Sequence, residues 1–124
     1  MAYTTVDNPE LFFQTKTYSG NSGTNAITFD GSENMQPDWI WIKARNHTYS
    51  HTLFDSVRGM TERLQTDKTD AEDTYGSAAP TANTNGFTLG NGAAINSSSY
   101  NYVSWNWKAG TSFTNDASAT GVGT

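Results

Sequence analysis

Two histidines four residues apart have a spacing that could support metal chemistry. On a helix, His47 and His51 would share one face, which is how imidazole pairs bind zinc in metalloproteases. The residues between them, Thr48-Tyr49-Ser50, form helices poorly, and none of them is the Glu that such a site uses as its base. We therefore expect a solvated loop and no metal site here.

Four acidic residues close together form a second candidate site, in this case for a hard cation. They are Asp67, Asp70, Glu72 and Asp73. Carboxylate oxygens bind Ca²⁺, but a calcium loop needs them at alternate positions around a central Gly. Because that spacing is missing, we predict a charged, solvated loop, and we expect no cofactor.

An acid and a base lie three residues apart just before Gly59. They are Asp55 and Arg58. A guanidinium group can bridge a carboxylate and nearby carbonyl oxygens because its donors form a rigid fork. We predict a structural ion pair that fixes the turn at Gly59, with a ligand-binding arginine as the alternative.

The four tryptophans fall in two Trp-X-Trp pairs, Trp39/Trp41 and Trp105/Trp107. Residues two apart on a β-strand point to the same face, so each pair sets two indoles side by side. The pairs form either the packed centre of a β-sandwich or an aromatic binding platform. Aromatic residues at strand spacing are more often core, which favours the first interpretation.

Aromatic side chains near Asn and Asp are also typical of sugar-binding sites, where their faces stack on pyranose rings. If the tryptophans are buried, tyrosines on loops and polar strand faces are the reasonable contacts. The candidate ligand-binding residues are Tyr49, Tyr75, Tyr100 and Tyr102. No paired carboxylates lie at recognisable strand ends, so the sequence does not predict a glycosidase.

The composition indicates one all-β domain and excludes several classes of protein. Short apolar runs separated by Gly, Asn, Ser and Thr are typical of β-structure, and 124 residues supply a single core. Twelve acidic against seven basic residues give a net charge of −5, which disfavours nucleic acid and anionic membranes as partners. The absence of cysteine excludes disulfides and thiolate sites. No apolar stretch is long enough to cross a bilayer, so we expect no membrane insertion.

Apolar alternation predicts the strands that must position these residues. We predict strands at residues 11–18, 26–29, 38–43, 52–59, 86–90 and 100–108. Residues 60–66 fit a strand or one helical turn. Residues 67–85 show no period and are expected to be a long loop.

The last strand has an apolar face and a polar face, which predicts its orientation. Val103, Trp105 and Trp107 alternate with Tyr102, Ser104 and Asn106, and we expect the tryptophan face to be buried. The predicted core comprises Trp41, Trp105, Trp107, Ile40, Ile42, Phe87, Leu89 and Val103. The predicted fold is an all-β antiparallel β-sandwich of jelly-roll or lectin-like type over residues 1–110. Residues 111–124 are expected to be a polar C-terminal tail or a linker.

Four segments carry motifs that are specific when they occur together and in order. They are Gln36–Arg45 (QPDWIWIKAR), His51–Gly59 (HTLFDSVRG), Asn85–Gly90 (NGFTLG) and Tyr102–Gly110 (YVSWNWKAG). Together they resemble the sequence boxes of an uncharacterised family of bacteriophage tail and tail-fibre-associated β-domains that is common in marine phages. Ser104 and Asn106 depart from the family pattern, in which Ala and Cys are common.

The resemblance implies a non-enzymatic structural protein of the virion. The implied role is a tail-fibre or appendage domain that contacts host surface glycans or neighbouring virion subunits. The alternative is a capsid decoration or assembly protein held by protein contacts alone. Other virion proteins are the implied partners, the implied location is the virion after assembly in the host cytoplasm, and a homo-oligomer such as a trimer is expected. The family has no established catalytic residues to carry over.

Overall fold

The computed structural model describes residues 7–109, and these form an all-β antiparallel sandwich, which confirms the predicted fold class. The strands are β1 (Phe13–Ser19), β2 (Asn25–Thr28), β3 (Trp39–Ala44), β4 (Thr52–Asp55), β5 (Gly59–Gln65), β6 (Asp73–Thr74), β7 (Thr81–Asn83), β8 (Gly86–Leu89) and β9 (Asn101–Trp107). Short helices lie at Pro9–Leu11, Gly76–Ala78 and, as α1, Ala93–Asn96. Within the described range, no helix is long and apolar enough to cross a membrane. The tail predicted for residues 111–124 lies outside the described residues.

The strands are divided unequally between two sheets. The large sheet has the order β1-β9-β3-β4-β5-β6 and the small sheet the order β2-β8-β7. In the large sheet, β9 pairs with β1 on one side and β3 on the other, so that Trp107 lies opposite both Phe13 and Trp39. Segments from the two ends of the described chain therefore meet inside the large sheet.

The core lies between the two sheets and is made of fully or almost fully buried apolar side chains. They are Ile27, Phe29, Met35, Ile40, Ile42, Ala44, Phe54, Ala79, Phe87, Leu89, Ile95 and Tyr102. Burial of one large apolar side chain contributes roughly 1.5–3 kcal/mol. The predicted burial of Ile40, Ile42, Phe87 and Leu89 is confirmed.

The predicted burial of the tryptophan face of β9 is wrong. Val103, Trp105 and Trp107 are half-buried on the outer side of the large sheet, as is Trp41 of β3. The inner side of β9 carries Tyr102, Ser104 and Asn106, each 0% exposed. A polar face can turn inward only if its polar groups find partners, so these partners decide the orientation.

Hydrogen bonds from β9 to β1 satisfy most of this inward polar face. The Asn106 Nδ2 donates to the Gln14 carbonyl oxygen at 3.0 Å and to the Ser104 Oγ at 2.9 Å. The Ser104 hydroxyl donates to the Lys16 carbonyl oxygen at 3.4 Å. Because these side chains are small and bonded within the sheet, the small sheet can pack closely on them. The bulkier indoles are left on the outer side.

The two segments without a clear period are β-structure in part. Residues 60–66, which fitted a strand or a helical turn, lie mostly within β5. The single long loop expected at residues 67–85 is wrong, because β6 and β7 lie there. Strands of two and three residues are too short to show a period. They are specified by their pairing with the neighbouring strands β5 and β8, which their own sequences do not show.

Candidate functional site

The outer side of the large sheet carries a cluster of aromatic side chains that we call the aromatic face. Its members are Phe13, Trp39, Trp41, His51, Trp105 and Trp107. Two rows of cross-strand partners build it, Phe13-Trp107-Trp39 and Thr15-Trp105-Trp41-Leu53. The small sheet and α1 supply core residues on the opposite side of the large sheet. All four indoles of the chain thus lie together on the outer surface.

The rings of the aromatic face form one continuous chain of contacts. Ring centroids are 4.7 Å apart for Phe13–Trp107, 4.2 Å for Trp107–Trp39, 5.9 Å for Trp39–Trp41 and 5.6 Å for Trp41–Trp105. Neighbouring ring planes are inclined by 48° to 68°. Tilted and edge-to-face contacts are favourable for aromatic rings and order each one through its neighbours. The surface is therefore rigid and uneven, because the rings do not share a plane.

Less bulky side chains surround the aromatic face. Leu53 and Val103 continue its apolar surface, while Thr15 and Thr17 border it on β1. The ammonium group of Lys43 is turned to the end of the sheet, where it donates to the carbonyl oxygens of Ala44 at 2.7 Å and His47 at 2.8 Å. The result is an apolar centre with a polar border.

Of the four tyrosines predicted to contact a ligand, Tyr102 is buried, and its prediction is wrong. Its side chain is 0% exposed. The hydroxyl donates to the Ala93 carbonyl oxygen at 2.9 Å and accepts from the Ser97 N–H at 2.9 Å. Burial raises the pKa of this hydroxyl above its ordinary value. Because α1 and the residue after it supply both partners, the phenol can enter the core without an unpaired polar group.

Tyr49 and Tyr100 come together around His47, in a group that we call the His47 cluster. The His47 ring centroid lies 4.1 Å from that of Tyr49 and 4.3 Å from that of Tyr100. All three side chains are half-buried. Beside them, the Asn46 Oδ1 accepts from the Asn101 N–H at 2.9 Å. The role of Tyr49 and Tyr100 as ligand contacts stays a prediction.

Tyr75 packs against two side chains beside β5. Its ring centroid is 5.8 Å from that of Phe54, and the Arg63 guanidinium carbon lies 4.4 Å above the ring. Burial raises the pKa of its hydroxyl despite the neighbouring guanidinium group. Tyr75 is half-buried, and its role as a ligand contact likewise stays a prediction.

The ion pair expected between Asp55 and Arg58 is present. The Arg58 Nε donates to the Asp55 Oδ2 at 2.6 Å, and the Asp55 Oδ1 accepts the backbone N–H groups of Val57 at 3.1 Å and Arg58 at 2.9 Å. Arg58 also pairs with Glu72. Burial opposes ionisation of Asp55, but the hydrogen bonds from Arg58 outweigh it and hold the pKa of the carboxyl below its ordinary value. Both carboxylates engage Arg58, which favours the structural role over ligand binding.

The two histidines and the acidic segment do not form a common site. His47 packs with tyrosines, whereas His51 lies against Trp41 with ring centroids 5.5 Å apart. Glu72 pairs with Arg58 and Asp73 with Arg63, while the Asp67 Oδ1 accepts from the His51 N–H at 3.0 Å. In residues 7–109, no three His, Cys, Asp or Glu side chains are grouped so that they could hold a metal ion.

The sequence raised the possibility of an aromatic platform and favoured the buried alternative. The polar residues of β9 carry the signal that could have shown that the tryptophans point outward. Ser104 and Asn106 can face the core because each has a carbonyl partner on β1. Finding those partners requires the pairing of β1 with β9, which joins residues about ninety positions apart, as with Asn106 and Gln14 (106 − 14 = 92).

The fold and the aromatic face together define a small β-sandwich domain with an aromatic outer sheet surface. A family model described as "Domain of unknown function (DUF7483)" matches residues 8–122. The chain therefore belongs to this family. No curated protein and no solved structure shows detectable similarity to the chain.

Proposed function

We propose that this chain is a non-enzymatic structural domain of a bacteriophage virion and that its aromatic face docks on a neighbouring virion protein. The support for the virion is the resemblance of four ordered sequence boxes to phage tail and tail-fibre-associated domains. The observation that carries the docking role is the outward position of all four tryptophans on one side of the large sheet. A tail-fibre or appendage position is the leading form of the proposal.

The chemistry of the aromatic face suits a protein partner. Tryptophan is enriched among the residues that carry most of the binding energy at protein interfaces. Trp39, Trp41 and Trp107 are already ordered by their mutual contacts, so binding would cost little side-chain entropy. An apolar centre with a polar border is also the usual anatomy of such interfaces. Because the rings are inclined to one another, they offer no single flat surface on which a sugar ring could stack, and a protein surface of complementary shape fits them better.

Five carboxylates in residues 7–109 are unsuited to act as general acids. The pKa is lowered from its ordinary value for Glu10, Asp30, Asp55, Asp67 and Asp73. A general acid that works near neutral pH needs a pKa raised toward that pH. These groups are instead held ionised by hydrogen bonds and ion pairs.

A glycan-binding role is a second candidate, and the His47 cluster is the observation that favours it. Tyr49 and Tyr100 present half-buried rings beside the polar side chains of Asn46 and Asn101. Such a site would be independent of the aromatic face. Binding to a glycan array that is lost in Tyr49→Ala and kept in Val103→Glu would favour this candidate. Binding that survives Tyr49→Ala would exclude it.

A pair of matched variants tests the docking role. Val103→Glu places a charge beside the aromatic face, whereas Val57→Glu makes the same change at a turn position that is 82% exposed. We expect Val103→Glu to fold, because Lys43 lies opposite it on β3, but to be lost from particles, because docking would remove water from the new carboxylate. Val57→Glu should assemble normally. Val103→Glu at the wild-type copy number would contradict the proposal.

The number of copies in the particle distinguishes a tail-fibre or appendage domain from a capsid decoration or assembly protein. Quantitative mass spectrometry of purified particles should find a few copies if the chain belongs to a tail appendage. Hundreds of copies would favour the decoration or assembly alternative. Complete absence of the chain from particles would contradict both forms.

A further inference from the structure

The two edges of the large sheet differ in length and in protection. At one edge, β6 has two residues and carries Asp73. Short and charged edge strands resist pairing with other chains. At the other edge, β1 has seven residues and contains no Pro, and among residues 7–109 no strand pairs on its outer side. A long edge strand of this kind presents unpaired backbone groups to another strand.

Hydrogen bonds at both ends of β1 fix which backbone groups point outward. The Lys108 N–H donates to the Phe12 carbonyl oxygen at 2.8 Å, and the Gly20 N–H donates to the Tyr100 carbonyl oxygen at 3.0 Å. In an antiparallel pair, alternate residues bond to the neighbouring strand. The even-numbered residues of β1 therefore bond to β9. The N–H and C=O groups of the exposed residues Phe13, Thr15 and Thr17 point to the open edge.

An acidic groove lies beside the first half of β1. Its volume is about 260 Å³, and its lining includes Glu10, Gln14 and Asp30. Two residues further along the strand, Lys16 lies on the same side of the sheet and pairs with Asp30 at 2.8 Å. Because Lys16 already pairs with Asp30 of its own chain, Glu10 is the carboxylate of the groove that has no cationic partner in residues 7–109 and can attract the lysine of a second chain.

We propose that the open edge of β1 pairs with β1 of a second copy of this chain, antiparallel about a two-fold axis at Thr15. In this register Thr15 faces itself, Phe13 faces Thr17, and Gln14 faces Lys16. Each Lys16 then lies beside the acidic groove of the other copy, so the charges are complementary. An axis at Lys16 would instead set two ammonium groups opposite each other, which is unfavourable.

The pairing would join the two large sheets into one, and each β1 would gain hydrogen bonds for its outward groups. The same patch meets itself, as a closed two-fold dimer requires. The pairing uses backbone groups of β1 and adjoins the aromatic face only at Phe13, so the proposal does not depend on the docking role. A two-fold dimer also differs from the trimer that the family resemblance implies.

The test is the mass of the full-length chain in solution, measured by sedimentation equilibrium from micromolar to millimolar concentration. We expect a monomer–dimer equilibrium for the wild type. Thr15→Lys and Thr15→Glu should each raise the dissociation constant at least about tenfold, because like charges meet on the axis. Mixing the two variants should restore the dimer, since Lys then faces Glu. Thr61→Lys, at an exposed position of β5, is the matched control and should dimerise normally.

Each other outcome overturns the proposal. The proposal is overturned if the wild-type chain is a monomer at all concentrations tested, or if it is a trimer. A dimer that survives both Thr15 variants, or is not restored by mixing, places the contact elsewhere. Near-ultraviolet circular dichroism checks that each variant is folded. If Thr15→Lys is not folded, Thr17→Lys is the substitute, and it should also weaken the dimer because it sets an ammonium group against Phe13 of the other copy.

Discussion

Asp55 closes the turn between β4 and β5 with both of its carboxylate oxygens. One oxygen accepts two backbone N–H groups and the other accepts the Arg58 Nε. Hydrogen bonds to a charged group contribute about 1.5–3 kcal/mol each, and lost partners leave donors unpaired. The turn leads into Gly59, whose φ of 110° favours glycine. A single side chain thus fixes the geometry of the connection.

Replacing Asp55 should destabilise the fold in proportion to the contacts removed. We expect Asp55→Ala to lower the free energy of unfolding by about 2–3 kcal/mol, since all of the contacts are lost. Asp55→Asn keeps the acceptor for the backbone and should cost about half as much. Urea unfolding measures both. Asp70→Ala, at an exposed position, should stay within about 0.5 kcal/mol of the wild type. Equal stability of Asp55→Ala and Asp70→Ala would contradict this account.

The same carboxyl group predicts how stability changes with pH. The pKa of Asp55 is below 3.8 in the folded chain, and that of an unfolded Asp is near 3.8. The unfolded state therefore binds more protons as the pH falls through this range. The stabilising contribution is complete above the unfolded pKa and is lost toward the folded pKa. Urea unfolding at neutral and acidic pH should show a smaller loss for Asp55→Asn than for the wild type. Equal losses would rule out this contribution.

Asn96 is a buried polar residue that joins three segments of the chain. Its side chain accepts from the Asn21 N–H at 3.0 Å and the Asn25 Nδ2 at 2.9 Å. Its Nδ2 donates to the carbonyl oxygens of Gly23 at 2.7 Å and Gly90 at 2.9 Å. Asn96→Ala should cost about 3 kcal/mol or more in the free energy of unfolding, because several buried partners lose their bonds. Exposed Asn91→Ala is the control in the same urea titration, and an equal effect of both changes would contradict this role.

Contacts between residues close in the sequence could be predicted, and contacts between distant residues could not. Asp55 and Arg58 are close in the chain, so their pairing could be predicted from their spacing and is present. The His47 cluster could not be predicted, because Tyr100 joins it from the residue before β9, far along the chain. Tyr102 was predicted as a ligand contact because its neighbours on β9 are polar. Its buried position depends on how α1 packs beside it.

Among the elements, β9 shows how a strand is oriented by its neighbours. Its alternation correctly separates the tryptophans from the polar residues. Alternation does not say which side is inner, because that depends on whether Ser104 and Asn106 find partners. Their partners are carbonyl groups of β1, which only the paired sheet provides. The sandwich was therefore predictable from the sequence, and the orientation of its central strand was not.

The orientation of β9 predicts that loss of a tyrosine destabilises the fold more than loss of a larger tryptophan on the same strand. Tyr102→Ala removes a side chain that is 0% exposed, so it should lower the free energy of unfolding by about 3–5 kcal/mol. Trp105→Ala removes a larger but half-buried side chain and should cost less, about 1–2 kcal/mol. Urea unfolding of both variants gives the ranking. A larger loss for Trp105→Ala would mean that the tryptophan side is the inner one.

In the whole molecule, as described by residues 7–109, a closed core lies between the two sheets, the large sheet carries the aromatic face, and β1 is its long open edge. The core stabilises the fold without disulfides. It leaves the aromatic face and the edge of β1 free to act as surfaces for other chains. The two surfaces adjoin at Phe13, which belongs to the aromatic face and to β1. Pairing at the edge would therefore bring two aromatic faces into one extended sheet surface.

Hydroxyl-radical footprinting of the tryptophans shows whether the aromatic face is covered in the particle. Purified chain and intact particles are exposed to the same radical dose, and oxidation at Trp39, Trp41, Trp105 and Trp107 is quantified by mass spectrometry. We expect these residues to react in the purified chain and to be protected in the particle, where a neighbouring protein covers them. Met60 and Tyr75, which are half-buried and lie away from the face, serve as internal references. Equal reactivity in both samples would contradict a docking role for the aromatic face.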